Sequence, residues 1–374
     1  MKNKFINATA LLIGTVIGAG FLGVPYVFAK AGFLVGTLHL MLITAIILFI
    51  NLGLGEISLR TKGNHQLTGY AERYLGKRGR QLMFFAMIFG IYAALLAYLV
   101  GEGKSISFLI FQNEQFYLFP GIIFWFITSL IAASGIKALK KYEPLSVAII
   151  LVIIISVILL FFTQINPQNL STISTQHFFL PFGVILFAML GFSALPEMEI
   201  LLKKQERKMK KAILLGTLIP AILYFFFALT VVGRFGQSTP RIATFAFSEI
   251  GGGIFILLGI FTMFTAYLAL SVALEDMYIF DYHFTKKQAV LASSLPPLFL
   301  FIAISLFNLA SFTKIISLSG TVSGGLTGVL VLMMMQKAKR KGNRKPEYSL
   351  TLNKKILLAL TLILILGIFL EIFV

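Results

Sequence analysis

The chain has 374 residues, of which 58% are hydrophobic and only 12% charged, and its formal net charge is +18. A mean hydropathy of +0.93 excludes a water-soluble globular domain and indicates a polytopic, all-α membrane protein. The apolar runs lack the alternation of barrel strands, which excludes a β-barrel. Because there is no cysteine and the four histidines are scattered, we expect no disulfide, no metal site and no cofactor.

Eleven apolar segments follow one another, each long enough to cross a bilayer. The first lacks a small-residue cleavage site and runs through Gly32 directly into the second, so it does not have the form of a signal peptide. The predicted spans are residues 6–30, 32–58, 81–111, 117–136, 143–163, 178–201, 212–233, 250–280, 288–308, 311–335 and 355–374.

The basic residues concentrate in alternate connections between these spans. With the N-terminus inside, all Lys and Arg residues lie on the cytoplasmic side except Lys30, Lys104, Arg234, Arg241 and Lys314. The positive-inside rule therefore predicts a plasma-membrane protein with a cytoplasmic N-terminus and an external C-terminus. We expect the lipid bilayer, and no nucleic acid, to be the partner of this positive charge.

The first span is unusually rich in residues that break helices. Gly14, Gly18, Gly20, Gly23 and Pro25 all lie within it, although an interior Gly costs a helix about 1 kcal/mol and Pro about 3 kcal/mol. Broken backbone at membrane depth is tolerated only where protein or a wet cavity satisfies it. We therefore predict a discontinuous helix beside a small-ligand site, as in secondary transporters. Alternatively, Gly14 and Gly18 only permit close helix packing.

The sixth span repeats this pattern. Gly191 precedes Pro196 by the spacing that separates Gly20 from Pro25. Because five spans lie between the two segments, they cross the membrane in opposite directions, as in an inverted-topology repeat. The predicted units are residues 1–163 with helices 1–5, residues 178–335 with helices 6–10, and an additional helix 11 at residues 355–374.

Four motifs occur in a characteristic order: Gly14-Thr-Val-Ile-Gly-Ala-Gly-Phe-Leu-Gly-Val-Pro-Tyr26, Ala97-Tyr-Leu-Val-Gly-Glu-Gly-Lys-Ser105, Phe192-Ser-Ala-Leu-Pro196 and Ser319-Gly-Thr-Val-Ser-Gly-Gly325. Together they resemble the amino acid/auxin permease family and its bacterial tryptophan/tyrosine permease branch, within the amino acid/polyamine/organocation superfamily. The resemblance implies a LeuT-type 5+5 inverted repeat with discontinuous helices 1 and 6. It also implies amino acid uptake by alternating access, coupled to H⁺ or Na⁺.

An amino acid substrate carries a carboxylate and an ammonium group. The N–H groups exposed where the first helix unwinds can hold the carboxylate, and freed carbonyls of the sixth helix can accept from the ammonium group. The predicted backbone contacts are those of Ile17, Gly18, Ala19 and Gly20 in the first helix, and of Phe187, Ala188 and Leu190 in the sixth.

Aromatic side chains are the candidates for contacts with the substrate's own side chain. They are Phe187, Phe192, Tyr92 and Tyr98, and there is no obvious acidic or basic residue near the interrupted segments on the inner faces. The sequence therefore favours a neutral amino acid, apolar or aromatic.

The coupling ion is predicted partly from the resemblance. In Na⁺-coupled relatives, carbonyls of the first helix, here Gly14 and Ile17, and two hydroxyl residues of the eighth helix form a cation site. The latter positions are Thr265 and Ala266 here, so one hydroxyl is missing and H⁺ is favoured over Na⁺.

Proton coupling requires an intramembrane acid. Glu197, one residue past the helix break predicted at Pro196, is the predicted candidate, with a solvated helix end as the alternative. Further acids within or near spans are Glu56, Glu102, Glu199, Glu275 and Asp276.

An inner gate is predicted between Lys4 and Asp281, where a solvated surface acid is the alternative. No span offers a catalytic constellation, so we expect no enzyme. An amino acid exchanger and a non-transporting membrane amino acid sensor stay open as alternatives to a symporter.

Overall fold

The computed structural model describes residues 4–63, 65–134, 137–247 and 252–373, with only the backbone described at residues 137–146, 252, 254, 258, 280 and 281. Within these ranges the chain forms fifteen α-helices and no β-strand. They are α1 (Lys4–Val16), α2 (Gly20–Ala31), α3 (Phe33–Leu59), α4 (Leu67–Leu75), α5 (Lys77–Phe111), α6 (Leu118–Ala133), α7 (Lys137–Phe161), α8 (Leu180–Ala188), α9 (Ala194–Leu201), α10 (Met209–Phe235), α11 (Gly252–Tyr282), α12 (Lys286–Phe307), α13 (Phe312–Ser319), α14 (Gly325–Lys341) and α15 (Lys354–Phe373).

The predicted membrane spans are matched by these helices. Eight spans in the described ranges are long and apolar enough to cross a membrane on their own, with α13 and α14 together forming one of them. The bent pair α1 and α2 adds a ninth. The 16-residue α6 and the pair α8 and α9 account for the other two predicted spans. The predicted multi-pass helical architecture is thus confirmed.

Two spans are interrupted, as the glycine pattern predicts. The first break is at residues 17–19, between α1 and α2, whose axes differ by 53°. There the Gly18 N–H donates to Val16 O at 2.9 Å, a bond that does not belong to a regular α-helix. The second break, at residues 189–193, separates α8 from α9.

The prolines do not mark the breaks, which corrects the expectation of a break at Pro196. Pro196 is the third residue of α9 and Pro25 lies inside α2. The first N–H groups of a helix have no acceptor within that helix, so the N–H that Pro196 lacks costs α9 no intrahelical bond.

The four half-helices pack in pairs around the two breaks. α1 packs on α9, and α2 packs on α8. Gly20 allows the breaks to approach, because a Cβ at this position would lie 2.7 Å from the Ala188 Cα. The C-terminal ends of α1 and α8 therefore meet the N-terminal ends of α2 and α9 at one level of the bundle.

A turn of π-helix joins α13 to α14 at residues 320–324. It packs on α8, since a Cβ at Gly320 would meet the Gly183 carbonyl and the Phe187 N–H. Such turns are frequent at functional sites, and this one lies at the level of the second break.

Candidate functional site

A cavity of about 590 Å³ lies between the two helix breaks. This volume is within the usual range for small-molecule sites, roughly 300–1,000 Å³. Around the breaks it is lined by Gly18, Gly20, Tyr98, Phe187, Leu190 and Phe192. The lining here is mostly apolar and aromatic, and its polar parts are backbone groups, the Tyr98 phenol and the Ser193 hydroxyl.

The cavity extends toward the end of the molecule that carries the basic connections. Gln66 and Thr68, between α3 and α5, line it there, together with Leu201 of α9. At the opposite end the bundle is closed, with Tyr98 and Phe312 buried to 4% and 2% exposure. With the topology predicted from the charges, the cavity faces the cytoplasm.

The residues predicted at the first break divide into two groups. Gly18 and Gly20 line the cavity. Ile17 and Ala19 belong to the same break, but their side chains are buried behind it, at 2% and 0% exposure. Only backbone groups of Ile17 and Ala19 are therefore candidates for ligand contacts.

The second break presents Phe187, Leu190 and Phe192 to the cavity, whereas the Ala188 side chain is buried outside it. The carbonyls predicted to receive an ammonium group are partly engaged. Phe187 O accepts from the Leu190 N–H at 3.2 Å. A carbonyl has two lone pairs, so it can accept a second hydrogen bond.

Tyr92 does not line the cavity, contrary to its prediction as a substrate contact. Its hydroxyl donates to Ala292 O at 2.6 Å and lies 2.6 Å from the Tyr278 hydroxyl. It therefore joins α5 to α11 and α12.

Tyr98 places its hydroxyl at the start of α2. A Cβ added to Gly18 would lie 2.8 Å from this oxygen, and the Ala19 N–H faces it. The first N–H groups of α2 have no acceptor in the helix, and the helix dipole is positive at this end. A phenol and free backbone donors thus converge on one place, which suits a carboxylate.

Tyr224 of α10 is a site residue that sequence reasoning missed. Its hydroxyl lies 2.9 Å from Val16 O and 3.1 Å from Ala188 O, and donates to them. It therefore bridges the two breaks directly. The sequence gives no signal for this role, because Tyr224 lies in the middle of an ordinary apolar span.

Hydroxyl residues of α13, α14 and the π-turn line another part of the cavity, namely Ser319, Ser323 and Thr327. Ser319 donates to Gly90 O of α5 at 3.2 Å. The motif of small and hydroxyl residues at 319–325 was the available signal for these contacts.

Two acids line the cavity, although no charged residue was expected near the interrupted segments. Glu197 lies one helical turn beyond Ser193 of the second break. Asp276 lies ten residues beyond Ala266 on α11, about 15 Å along the helix. The level of the breaks is neutral, and these carboxyl groups line the part toward the basic connections.

The residues predicted to hold a cation are only partly assembled. Thr265 donates within its own helix, to Thr262 O at 3.0 Å and Phe261 O at 3.2 Å. The Ala266 methyl lies 3.9 Å from where a Gly18 Cβ would be. Gly14 is in the last turn of α1, where carbonyls lack intrahelical donors. A methyl group thus faces the break where the resemblance implies a second hydroxyl.

The predicted inner gate is not tested. Lys4 Nζ donates to Lys203 O at 2.9 Å. The side chain of Asp281 lies outside the described part of the chain.

The fold is similar to that of a solved structure. MhsT, whose crystal structure is in complex with L-phenylalanine, superposes with a TM-score of 0.72 at 16% identity, covering 100% of this chain and 98% of that one. The predicted LeuT-type fold is therefore confirmed.

Curated relatives are amino acid transporters by name. Glutamine transporter 2 of Aliivibrio fischeri is 24% identical over 74% of this chain and 75% of its own. The tyrosine permease of Enterobacter agglomerans is 26% identical over 94% of this chain and 91% of its own. The tryptophan/tyrosine permease family itself matches residues 1–374. The chain therefore belongs to the tryptophan/tyrosine permease family, as its motifs predict.

Proposed function

We propose that this protein is a secondary active transporter that imports neutral amino acids, apolar or aromatic, across the plasma membrane. Import is by ion symport, with H⁺ favoured over Na⁺, and by alternating access around the two broken helices. The N-terminus is cytoplasmic and the C-terminus external. The observation that carries the proposal is the cavity of about 590 Å³ at the level of both helix breaks.

The breaks match the charges of a zwitterion. The N-terminal end of α2, with the Tyr98 hydroxyl, receives the carboxylate. The C-terminal end of α8, negative by its dipole, receives the ammonium group through the carbonyls near Phe187 and Leu190. These interactions involve partial charges. The substrate is therefore bound without a full opposite charge that would prevent its release.

The substrate's side chain then lies among Phe187, Leu190 and Phe192. A charged side chain would lose its hydration there without gaining a partner. The names of the relatives agree with a neutral substrate, since they specify glutamine and tyrosine, and MhsT was solved with phenylalanine.

Proton coupling is favoured by the chemistry around Gly18. A cation such as Na⁺ needs a cage of oxygen ligands, and the Ala266 methyl near this position supplies none. Thr265 and the carbonyls of Gly14 and Ile17 are the oxygens available for a weaker site. Glu197, which lines the cavity, is the acid that the sequence favours for the proton.

The test is uptake of a radiolabelled neutral amino acid panel into proteoliposomes, with an inward proton gradient and an inward sodium gradient imposed separately. We expect accumulation of apolar or aromatic substrates driven by the proton gradient alone. Accumulation only with sodium would overturn the choice of ion. Exchange without net accumulation would favour an exchanger, and binding without any flux would favour a sensor.

Gly18→Leu tests the location of the site in the same assay. The leucine fills the space beside Tyr98, so we expect binding and uptake to be abolished while membrane insertion is kept. Gly253→Leu is the matched control, because a Cβ there lies 3.9 Å from its nearest neighbour, Leu109. Retained binding in Gly18→Leu would contradict the proposed site.

A further inference from the structure

One face of α5 continues from the cavity into the closed outer half of the bundle. On this face Met87, Ile91, Ala94 and Tyr98 line the cavity. Residues three and four apart lie on the same face of a helix, so the next positions along it are Glu102 and Ser105. Glu102 therefore lies four residues, about 6 Å along the helix axis, beyond Tyr98, whose hydroxyl is at the first break.

Glu102 is buried without a polar partner. Its exposure is 0%, and neither carboxyl oxygen has a hydrogen-bond partner among the described residues. Ser105 is equally buried, and its hydroxyl has no partner in the same part of the chain. The adjacent Gly101 packs against Met263 of α11 and Phe312 of α13, which cover this turn of α5.

No described charge compensates Glu102 from the helices packed around it. On α5, Lys104 pairs with Glu114 at 3.3 Å. On α13, Lys314 pairs with Glu371 of α15 at 3.1 Å. Tyr117, just before α6, and Tyr267 of α11 are neutral phenols that pack on Phe301 and Phe124. A carboxylate buried alone is far less favourable than the neutral acid, so in this closed arrangement Glu102 carries a proton.

We propose that Glu102 is the proton-binding site that couples amino acid transport to the proton gradient. This rests on the proposed proton symport. When the outer half of the bundle opens, water reaches Glu102, and its carboxylate takes a proton from the external solution. The outer half then closes around the neutral acid, while the cavity opens to the other side.

The proton leaves toward the cavity, from which Tyr98 separates Glu102 on this face of α5. Its loss leaves a carboxylate that favours the outward-open arrangement, where water solvates it. Glu197 differs, because it lines the open cavity in the present conformation. The burial of Glu197 therefore does not distinguish the inward-open arrangement from the outward-open one.

The test compares the wild type with Glu102→Gln, which mimics the neutral acid, in proteoliposomes. Two fluxes are measured: accumulation driven by an inward proton gradient, and exchange of labelled for unlabelled substrate without a gradient. For Glu102→Gln we expect exchange to be retained and independent of external pH. Accumulation is lost, so the internal substrate concentration rises no higher than the external one. Glu72→Gln, which changes a carboxylate paired with Arg80 outside the cavity lining, is the matched control and should still accumulate substrate.

The outcomes separate the two proposals. If the wild type shows no proton-driven accumulation, proton symport itself fails, and the role of Glu102 with it. If the wild type and Glu102→Gln both accumulate substrate, only the role of Glu102 is overturned.

Substrate binding to each purified variant checks the fold. A variant that binds substrate but does not exchange also contradicts the proposal, because closure around a neutral residue should be unimpaired. Glu102→Asp should restore accumulation.

Discussion

At the scale of single residues, two phenol hydroxyls lie at the break in the first span. Tyr98 reaches it from α5 and faces the Gly18 and Ala19 backbone. Tyr224 reaches it from α10 and joins Val16 O to Ala188 O. Tyr98 is thus placed to contact a ligand, and Tyr224 to fix the distance between the two breaks.

Tyr224→Phe is expected to weaken substrate binding and lower the melting temperature. It leaves two buried carbonyls without this donor, which costs about 1–3 kcal/mol. The control is Tyr348→Phe, which removes a hydroxyl that donates to Leu52 O at 2.6 Å, away from the cavity. The control should lose stability but keep its Kd. Equilibrium binding of labelled substrate and thermal unfolding in detergent measure both effects, and an unchanged Kd in Tyr224→Phe would contradict the bridging role.

Glycines at the breaks were predictable, whereas the choice between the two tyrosines of α5 was not. Gly18 and Gly20 stand out in an apolar segment because each penalises the helix. Tyr92 and Tyr98 both lie on α5, and the sequence cannot separate them. A helix that is apolar all round gives no sign of which face meets which neighbour. Only the packing of the helices shows that Tyr92 faces α12 and that Tyr98 faces the first break.

At the scale of elements, the connection between α14 and α15 is bound to the end of α3. The Glu56 carboxylate accepts from Arg60 Nε at 2.7 Å, Ser349 Oγ at 3.0 Å and the Leu350 N–H at 2.7 Å. Arg344 of the same connection lies 4.0 Å from Glu199 of α9. This connection thus links α3 to a half-helix of the broken sixth span.

Glu56→Gln is expected to destabilise the protein markedly. The carboxylate is buried at 4% exposure and has three donors, and the amide cannot accept from all of them, at a cost of about 1–3 kcal/mol. Glu72→Gln is the control, because its pair with Arg80 is partly exposed and pairs at the surface contribute about 0–1 kcal/mol. Thermal unfolding followed by circular dichroism compares them. Equal melting temperatures in the two variants would show that the Glu56 cluster contributes no special stability.

Span positions could be read from the sequence because the bilayer fixes the length of an apolar helix. The helix breaks could also be predicted from the sequence, because an interior glycine destabilises a helix. Their exact position in the sixth span could not, since Pro196 fits in the first turn of α9. The π-turn at residues 320–324, where Gly320 packs on α8, could not be predicted from the sequence either.

At the scale of the whole molecule, the half-helices form an outer pair, α2 with α8, and an inner pair, α1 with α9. The outer pair is closely packed at Gly20, and the cavity extends along the inner side. In the proposed cycle this is the inward-facing arrangement. The boundaries of the repeat units at residues 1–163 and 178–335, and of the additional helix at 355–374, stay a prediction.

The central claim is that the cavity between the breaks holds the substrate and faces the cytoplasm. Because the chain has no cysteine, Ser193→Cys introduces a single, nearly isosteric thiol into the lining of the cavity at the second break. Ser238→Cys, in the exposed connection after α10, is the control for the opposite side.

The most direct measurement is labelling of these two thiols by a membrane-impermeant reagent in right-side-out and inside-out vesicles. We expect Ser193→Cys to react from the cytoplasmic side and to be protected by a transported amino acid. Ser238→Cys should react only from outside, without protection. Labelling of Ser193→Cys that the substrate does not slow, or that occurs only from outside, would contradict the account.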